Sequence, residues 1–289
     1  MATVLVTGTS KGIGLATALT LARAGHTVYA TMRSAARAAE LSAEAAREAL
    51  PIRFSVMDVD ADSSVATAVA AIHAAAGNID ALVNNAGIER NGSIEETPLS
   101  AFREVMETNY FGAIRCIQAV LPHMRERRSG LIVNISSVAG RVATSPLGPY
   151  SATKHALEAL SEALAQEVKA FNIRVAIVEP GIIDTPMAHE LHLPAAPSLY
   201  PQQRRMAAYF AAALQDSARD PRIVADKIRQ IVESGAWTLR HPVGPGAAEH
   251  IEARRATSDE DYTALQAADD DTWYTFMEQR SGMSIRPKS

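Results

Sequence analysis

Six short apolar runs rich in β-branched residues recur along the chain, each bounded by glycine, charge or turn residues. They are Thr3–Gly8, His26–Arg33, Ile52–Val59, Ile79–Gly87, Leu131–Ser137 and Ile173–Gly181. Their length and composition predict buried strands. Between them lie stretches with helical spacing. The first runs from Lys11 to a stop at Gly25, the second over Ser34–Leu50, and the third over Asp62–Ala76 with Asp62 or Ser63 as cap. Leu99–Arg127 reads as one long helix bent near Gly112, and Pro149–Phe171 as another. The strands are apolar almost throughout rather than alternating, which predicts a parallel sheet covered on both faces. Right-handed crossovers then give an α/β, doubly wound, three-layer αβα fold. Ala236–Gly244 supplies a last strand, making about seven.

The rhythm breaks over 182–221, where Pro186, Pro194, Pro197 and Pro201 precede the apolar stretch MAAYFAAAL. A long insertion beside strand ends predicts a lid. Leu191, Leu193, Leu199, Tyr200, Met206, Tyr209 and Phe210 are candidates for an apolar cover over a lipophilic substrate, or for packing of the lid itself. The expected organisation is one α/β domain over 1–245 that includes this insertion, followed by a polar extension over 246–289. Its acidic runs, Asp259-Glu260-Asp261 and Asp269-Asp270-Asp271, suggest short helices or partial disorder in a solvated appendage.

Composition narrows the function. The net charge of −4 and the lack of a basic stripe argue against nucleic acid or an anionic membrane as partner. No apolar run reaches the roughly 20 residues of a membrane span, and the apolar start leaves no room for a signal peptide. The single cysteine, Cys116, excludes an internal disulfide and reads as apolar filler. A cytoplasmic location is expected. The eight histidines show no metal-binding spacing, and His189 and His192 fall in the variable segment, so no metal is expected.

Chemistry begins at Thr7–Gly14, TGTSKGIG, with glycines at 8, 12 and 14 between the first strand and first helix. Glycines there let the backbone turn tightly and approach a pyrophosphate seated on a helix N-terminus. A site for NAD usually places an acid roughly 20 positions further on, to hold the ribose 2′-hydroxyl. Here Met32 and Arg33 stand instead, and Lys11 lies inside the loop. Two cations favour a 2′-phosphate. NADP(H) is therefore expected over NAD(H), which stays possible if both cations are only solvated. Asp58 is a candidate partner for the adenine amine, and Asn84-Asn85-Ala86-Gly87 closes strand four where a backbone could lie against the ligand.

Tyr150 and Lys154 are four residues apart on one helical face, and Ser137 ends strand five. With the glycine loop, these motifs resemble the short-chain dehydrogenase/reductase family in its single-domain branch. TGTSKGIG matches the family's TGxxxGxG, Asn84–Gly87 its NNAG, Asn109 its helix asparagine, Ser137 with Tyr150 and Lys154 its serine and YxxxK, and Pro180-Gly181 with Thr185 its PGxxxT. The match covers about residues 3–190 in order, with no departure in the catalytic set. VYATMR is similar to NADP-preferring members, including those acting on steroids and retinoids.

The resemblance implies a Rossmann-type fold and an oxidoreductase interconverting a secondary alcohol and a ketone or aldehyde. It implies Tyr150 as the acid/base, Ser137 as hydrogen-bond partner of the substrate oxygen, Lys154 on the nicotinamide ribose, and Asn109 holding a relay water. A Lys154 ammonium about 5 Å from the phenol would favour tyrosinate by roughly 3 kcal/mol, about two pKa units. Cofactor contacts are implied at Gly8, Ser10, Lys11, Gly12, Ile13, Gly14, Arg33, Asp58, Val59, Asn85, Ala86, Gly87, Tyr150, Lys154, Pro180, Gly181, Ile183 and Thr185. Thr185 and the Ile183 backbone would fix the carboxamide. A homodimer or homotetramer is implied, with the stripe Ala152, Ala156, Ala159 and Ala163 either facing a second subunit or packing on its own sheet. Two other readings stand beside this one. One is a non-catalytic dinucleotide sensor or scaffold. The other is a sugar-nucleotide epimerase or dehydratase, whose loop spacing and larger C-terminal domain differ from this chain.

Overall fold

The computed structural model describes residues 1–191, 197–215 and 219–287. Seven parallel strands form one sheet: β1 Thr3–Thr7, β2 Thr27–Met32, β3 Ile52–Val56, β4 Ala81–Asn84, β5 Gly130–Ile135, β6 Ile173–Pro180 and β7 Arg240–Val243. Their order is β3-β2-β1-β4-β5-β6-β7. The chain reverses direction across the sheet between β1 and β4. A crevice opens there at the strand carboxyl ends, where ligands of such sheets bind.

Helices cover both faces. On one side α1 (Gly12–Arg23), α2 (Ala39–Arg47) and α9 (Arg222–Ser234) bury Leu21, Leu41 and Ile228 against Val4, Val6, Val28 and Val178. On the other, α3 (Asp62–Ala76), α5 (Gly112–Arg127) and α6 (Gly148–Val168) bury Ile72, Val120 and Leu164 against Leu5, Leu82 and Ile132. Each central strand thus sends alternate side chains into two different cores, which is why its sequence is apolar throughout.

The strands end earlier than the apolar runs. β4 stops at Asn84 because the next two N–H groups leave the sheet. Asn85 and Ala86 both donate to Thr7 Oγ1, at 3.0 and 2.9 Å. The third helix lacks the expected cap. Ala61 precedes it without a side-chain bond, while Asp62 pairs with Arg115 and Ser64 accepts from the Asp58 N–H at 2.9 Å. The long helix is three segments: α4 (Leu99–Met106), a π-helical turn over Glu107–Phe111, and α5. The wide turn falls just before Gly112. A Cβ at Gly112 would meet Val59 Cγ2 at 2.9 Å, so the helix crosses β3's exit loop at close range.

Beyond β6 come α7 (Pro186–Glu190) and α8 (Gln202–Ala213). The expected cover residue Leu193, with His192 and Pro194, lies outside the described residues. After β7 the chain forms α10 (Ala247–Arg255), α11 (Asp259–Ala267) and α12 (Asp270–Ser281). This stretch is not a solvated appendage. Trp273, Tyr274, Met277 and Ile285 are buried and pack with Tyr209 and Ala212 of α8. The acidic runs that suggested solvation sit in the first turns of α11 and α12, where negative charge complements the helix dipole. Ser258 and Asp269 are their caps, accepting from Asp261 and Thr272 N–H groups. Ala152, Ala159 and Ala163 are exposed on α6 rather than packed on the sheet. Cys116 is fully buried, and burial pushes its thiol up to about 12. No helix among the described residues is long and apolar enough to cross a membrane.

Candidate active site

The glycine loop is locked to the turn after β4 before any ligand is considered. Asn85 Nδ2 donates to the carbonyls of Thr7 and Gly8 at 2.9 and 3.0 Å. Gly8 has φ +71°, and a Cβ on it would lie 2.7 Å from Ala86 Cα. A Cβ on Gly14 would overlap the Gly8 carbonyl oxygen and the Asn85 amide. The loop is therefore a close-packed layer that only glycine permits. α1 opens from it with extended Lys11 at its N-cap, no side-chain cap and no acid in its first turn. Its first N–H groups are free to receive an anion. These features fit the pyrophosphate of a dinucleotide.

A cavity of about 910 Å³ runs from this loop along the strand ends. Gly8, Ser10, Lys11, Gly12, Ile13, Gly14, Arg33 and Val59 line one end. Asn85, Ala86, Gly87, Pro180, Gly181, Ile183 and Thr185 line the middle, beside Ser137, Tyr150 and Lys154. Two expected residues do not line it. Asp58 turns inward, its Oδ1 accepting the Asp60 N–H at 3.2 Å, and Asp60 lines the wall instead. Asn109 sits behind the wall. Its Oδ1 accepts from Ile88 N–H at 2.8 Å, and its Nδ2 donates to the Ile88 carbonyl at 2.9 Å and Thr153 Oγ1 at 3.1 Å. The side chain thus pins the loop after β4. A second, water-sized space of about 10 Å³ adjoins Asn109 and Lys154.

At the centre, Lys154 Nζ donates to the Ile135 carbonyl at 2.8 Å. It lies 5.5 Å from the centre of the Tyr150 ring. Burial lowers Lys154 to about 8, against the opposing charges of Glu158 and Glu89. The Tyr150 phenol moves opposite to expectation. Burial raises it above the ordinary range, the Glu89 charge adds to this, and hydrogen bonding with Ser137 opposes it. The four-residue spacing brings the lysine beside the ring, but burial of the phenol sets the direction of its shift.

Arg33 and Arg37 line the dinucleotide end; among the described residues Arg33 makes no direct ion pair, though its charge acts on the Asp60 carboxyl in the same wall. Lys11 approaches Glu190 at 3.9 Å, an exposed contact. At the other end Met206, Tyr209 and Phe210 line the cavity as expected. Leu191 is buried away from it, and Leu199 and Tyr200 face solvent. The wall is completed by Trp273, Met277 and Met283 from the tail. Sequence reasoning missed them, although the i, i+4 spacing of Trp273 and Met277 behind an acidic cap was a helix signal. It also missed Glu89, a buried carboxyl in the wall that burial lifts to about 7.

Comparison with known proteins shows what the chain is similar to. The family model for short chain dehydrogenases matches residues 2–195. An oxidoreductase of Bacillus subtilis with no assigned activity, YusZ, is 37% identical over 250 residues, covering 84% of this chain and 89% of its own. A short-chain dehydrogenase structure from Streptomyces avermitilis superposes with a TM-score of 0.77 at 33% identity, covering 97% of each chain. A single-substitution variant of actinorhodin polyketide ketoreductase with NADPH superposes at 0.74 and 29% identity, over 83% of this chain and 94% of the other. The chain spans less than two thirds of the length of some other curated relatives it matches. The protein belongs to the short-chain dehydrogenase family of oxidoreductases.

Proposed function

We propose that the protein is an NADP(H)-dependent oxidoreductase that interconverts a secondary alcohol and a ketone, or an aldehyde and its alcohol. The carrying observation is that Ser137, Tyr150 and Lys154 share one cavity with the glycine loop and the free N-terminus of α1. A nicotinamide dinucleotide, when bound, supplies or accepts the hydride. The chain's own residues manage the oxygen and its proton. Tyr150, with its phenol raised by burial, carries its proton at neutral pH and is set to give it to a carbonyl oxygen in the reducing direction. Ser137 holds the same oxygen by hydrogen bonding. Lys154, near 8, is still largely charged at neutral pH and is placed to hold ribose hydroxyls and replenish the proton. Gly181, Ile183 and Thr185 line the cavity where the carboxamide would be oriented, while Asn109 fixes the loop behind.

Preference for the phosphorylated cofactor is supported by Arg33, which lines the cavity and makes no direct ion pair among the described residues. Arg37 adds a second guanidinium nearby. The apolar far end supports a lipophilic substrate, and the exposed alanines of α6 support a homo-oligomer. The test is NADPH oxidation across ketones, aldehydes, steroids and quinones, with Tyr150→Phe as control. Turnover that survives the substitution, or no turnover across the panel, rejects the reading.

A further inference from the structure

Glu89 is an unusual group to find in such a wall. It is 5% exposed, yet it lines the cavity beside Tyr150 and Lys154. A carboxyl taken from water needs compensating bonds. It receives one. Asn91 Nδ2 donates to Oε1 at 2.5 Å and also to the Leu191 carbonyl at 2.7 Å. Asn109 grips Ile88 on the other side, so the loop carrying Glu89 is held at both ends.

The second oxygen is different. No described residue donates to Oε2, and Oε2 is not among the fully buried polar atoms that lack a partner. It therefore keeps some exposure, on a residue that lines the cavity. Lys154, the cation whose charge acts on Glu89, is bonded to the Ile135 carbonyl and forms no ion pair with it. Glu89 in turn acts electrostatically on both Tyr150 and Lys154, so it stands within range of the reacting groups. A carboxyl serving structure alone would turn both oxygens to the protein. This one is fixed through one oxygen and presents the other.

We infer that Glu89 is a specificity-determining residue whose free carboxylate oxygen accepts a hydrogen bond from the substrate, which carries a hydroxyl or ammonium group beside its reacting carbon. The inference rests on the oxidoreductase reading and adds a substrate class to it: α-hydroxy or α-amino ketones and the corresponding alcohols. Charge-assisted bonds of this kind change affinity by about 10- to 100-fold. Asn91 and the pinned loop orient the carboxyl, while Lys154 and Tyr150 on α6 are the titratable groups that face it.

The experiment pairs ketones with and without a hydroxyl or amino group on the adjacent carbon, for example acetophenone, α-hydroxyacetophenone and α-aminoacetophenone. Wild-type protein and Glu89→Gln are assayed with NADPH on each set drawn from the ketones that turn over. Wild type should prefer the donor-bearing members by about tenfold or more in kcat/KM, expressed mainly in KM. In Glu89→Gln the ratio should fall toward one, with the Kd for NADPH showing that the variant is folded. Glu89→Asp, with its charge one methylene further back, should give an intermediate ratio. The hydroxyl and amino arms tell which donor the site takes. A wild-type ratio near one, or a ratio unchanged in Glu89→Gln, overturns the role of Glu89 and leaves the oxidoreductase standing. Absence of turnover on every ketone overturns the oxidoreductase as well.

Discussion

Tyr150 and Lys154 lie one helical turn apart, with the ammonium 5.5 Å from the ring centre and anchored on the Ile135 carbonyl. The pair is therefore rigid from two directions, helix α6 and strand β5. Tyr150→Phe should abolish turnover, a loss of about a thousandfold or more, because it removes the proposed proton donor to the substrate oxygen. The Kd for NADPH should change by less than about threefold. Fluorescence titration beside steady-state kinetics checks both.

Arg33→Ala should raise the Kd for NADPH by about 10- to 100-fold, the worth of a charge-assisted contact to phosphate. The Kd for NADH should hardly move. Equal weakening of both would mean that the side chain meets a group common to the two cofactors.

Gly14→Ala should destabilise the fold and weaken dinucleotide binding together. The added methyl must displace the Gly8 carbonyl or the Asn85 amide, which are bonded to each other at 3.0 Å. Overpacking of this kind costs about 1–3 kcal/mol. Urea unfolding at several pH values reads the first effect, and cofactor titration the second.

Glu89 gives the folded state a distinctive pH response. Its carboxyl is raised from an ordinary value of 4.5 to about 7 by burial. Between these values the folded chain holds a proton that the unfolded chain has released. Stability from this group is thus present below 4.5 and lost as pH rises toward 7. Glu89→Gln has no such group. Its stability relative to wild type should improve from about pH 4.5 to about pH 8 by up to about 3 kcal/mol. A difference that stays flat across that range would mean the carboxyl is ionised throughout. His250, lowered to about 4 by burial, responds in the opposite sense but is common to both proteins and cancels.

The glycine loop, the order of the central elements and most of the cavity lining were readable because each depends on local pattern. Glycines at 8, 12 and 14 answer to backbone crowding, and the apolar strands answer to a sheet covered twice. The π-helical turn at Glu107–Phe111 was not readable, since one extra residue in a helix leaves the apolar spacing nearly unchanged. The tail misled because Asp259 and Asp269-Asp270-Asp271 mark helix starts as well as solvated runs, and only the partner surface on α8 decides between them. The sign of the Tyr150 shift depends on how deeply the whole chain buries one oxygen, which spacing cannot express. Glu89 was hidden for the same reason: nothing beside it in sequence says that it is inside.

The two tryptophans are placed so unequally that the molecule carries its own optical gauge. Trp237 is 48% exposed at the surface, whereas Trp273 is 2% exposed and forms part of the cavity wall. Replacing Trp237 with phenylalanine would leave a single tryptophan emitter, buried in the wall of the cavity that a dinucleotide would enter. Occupancy of the site could then be followed by light alone, without a label and before any substrate is known.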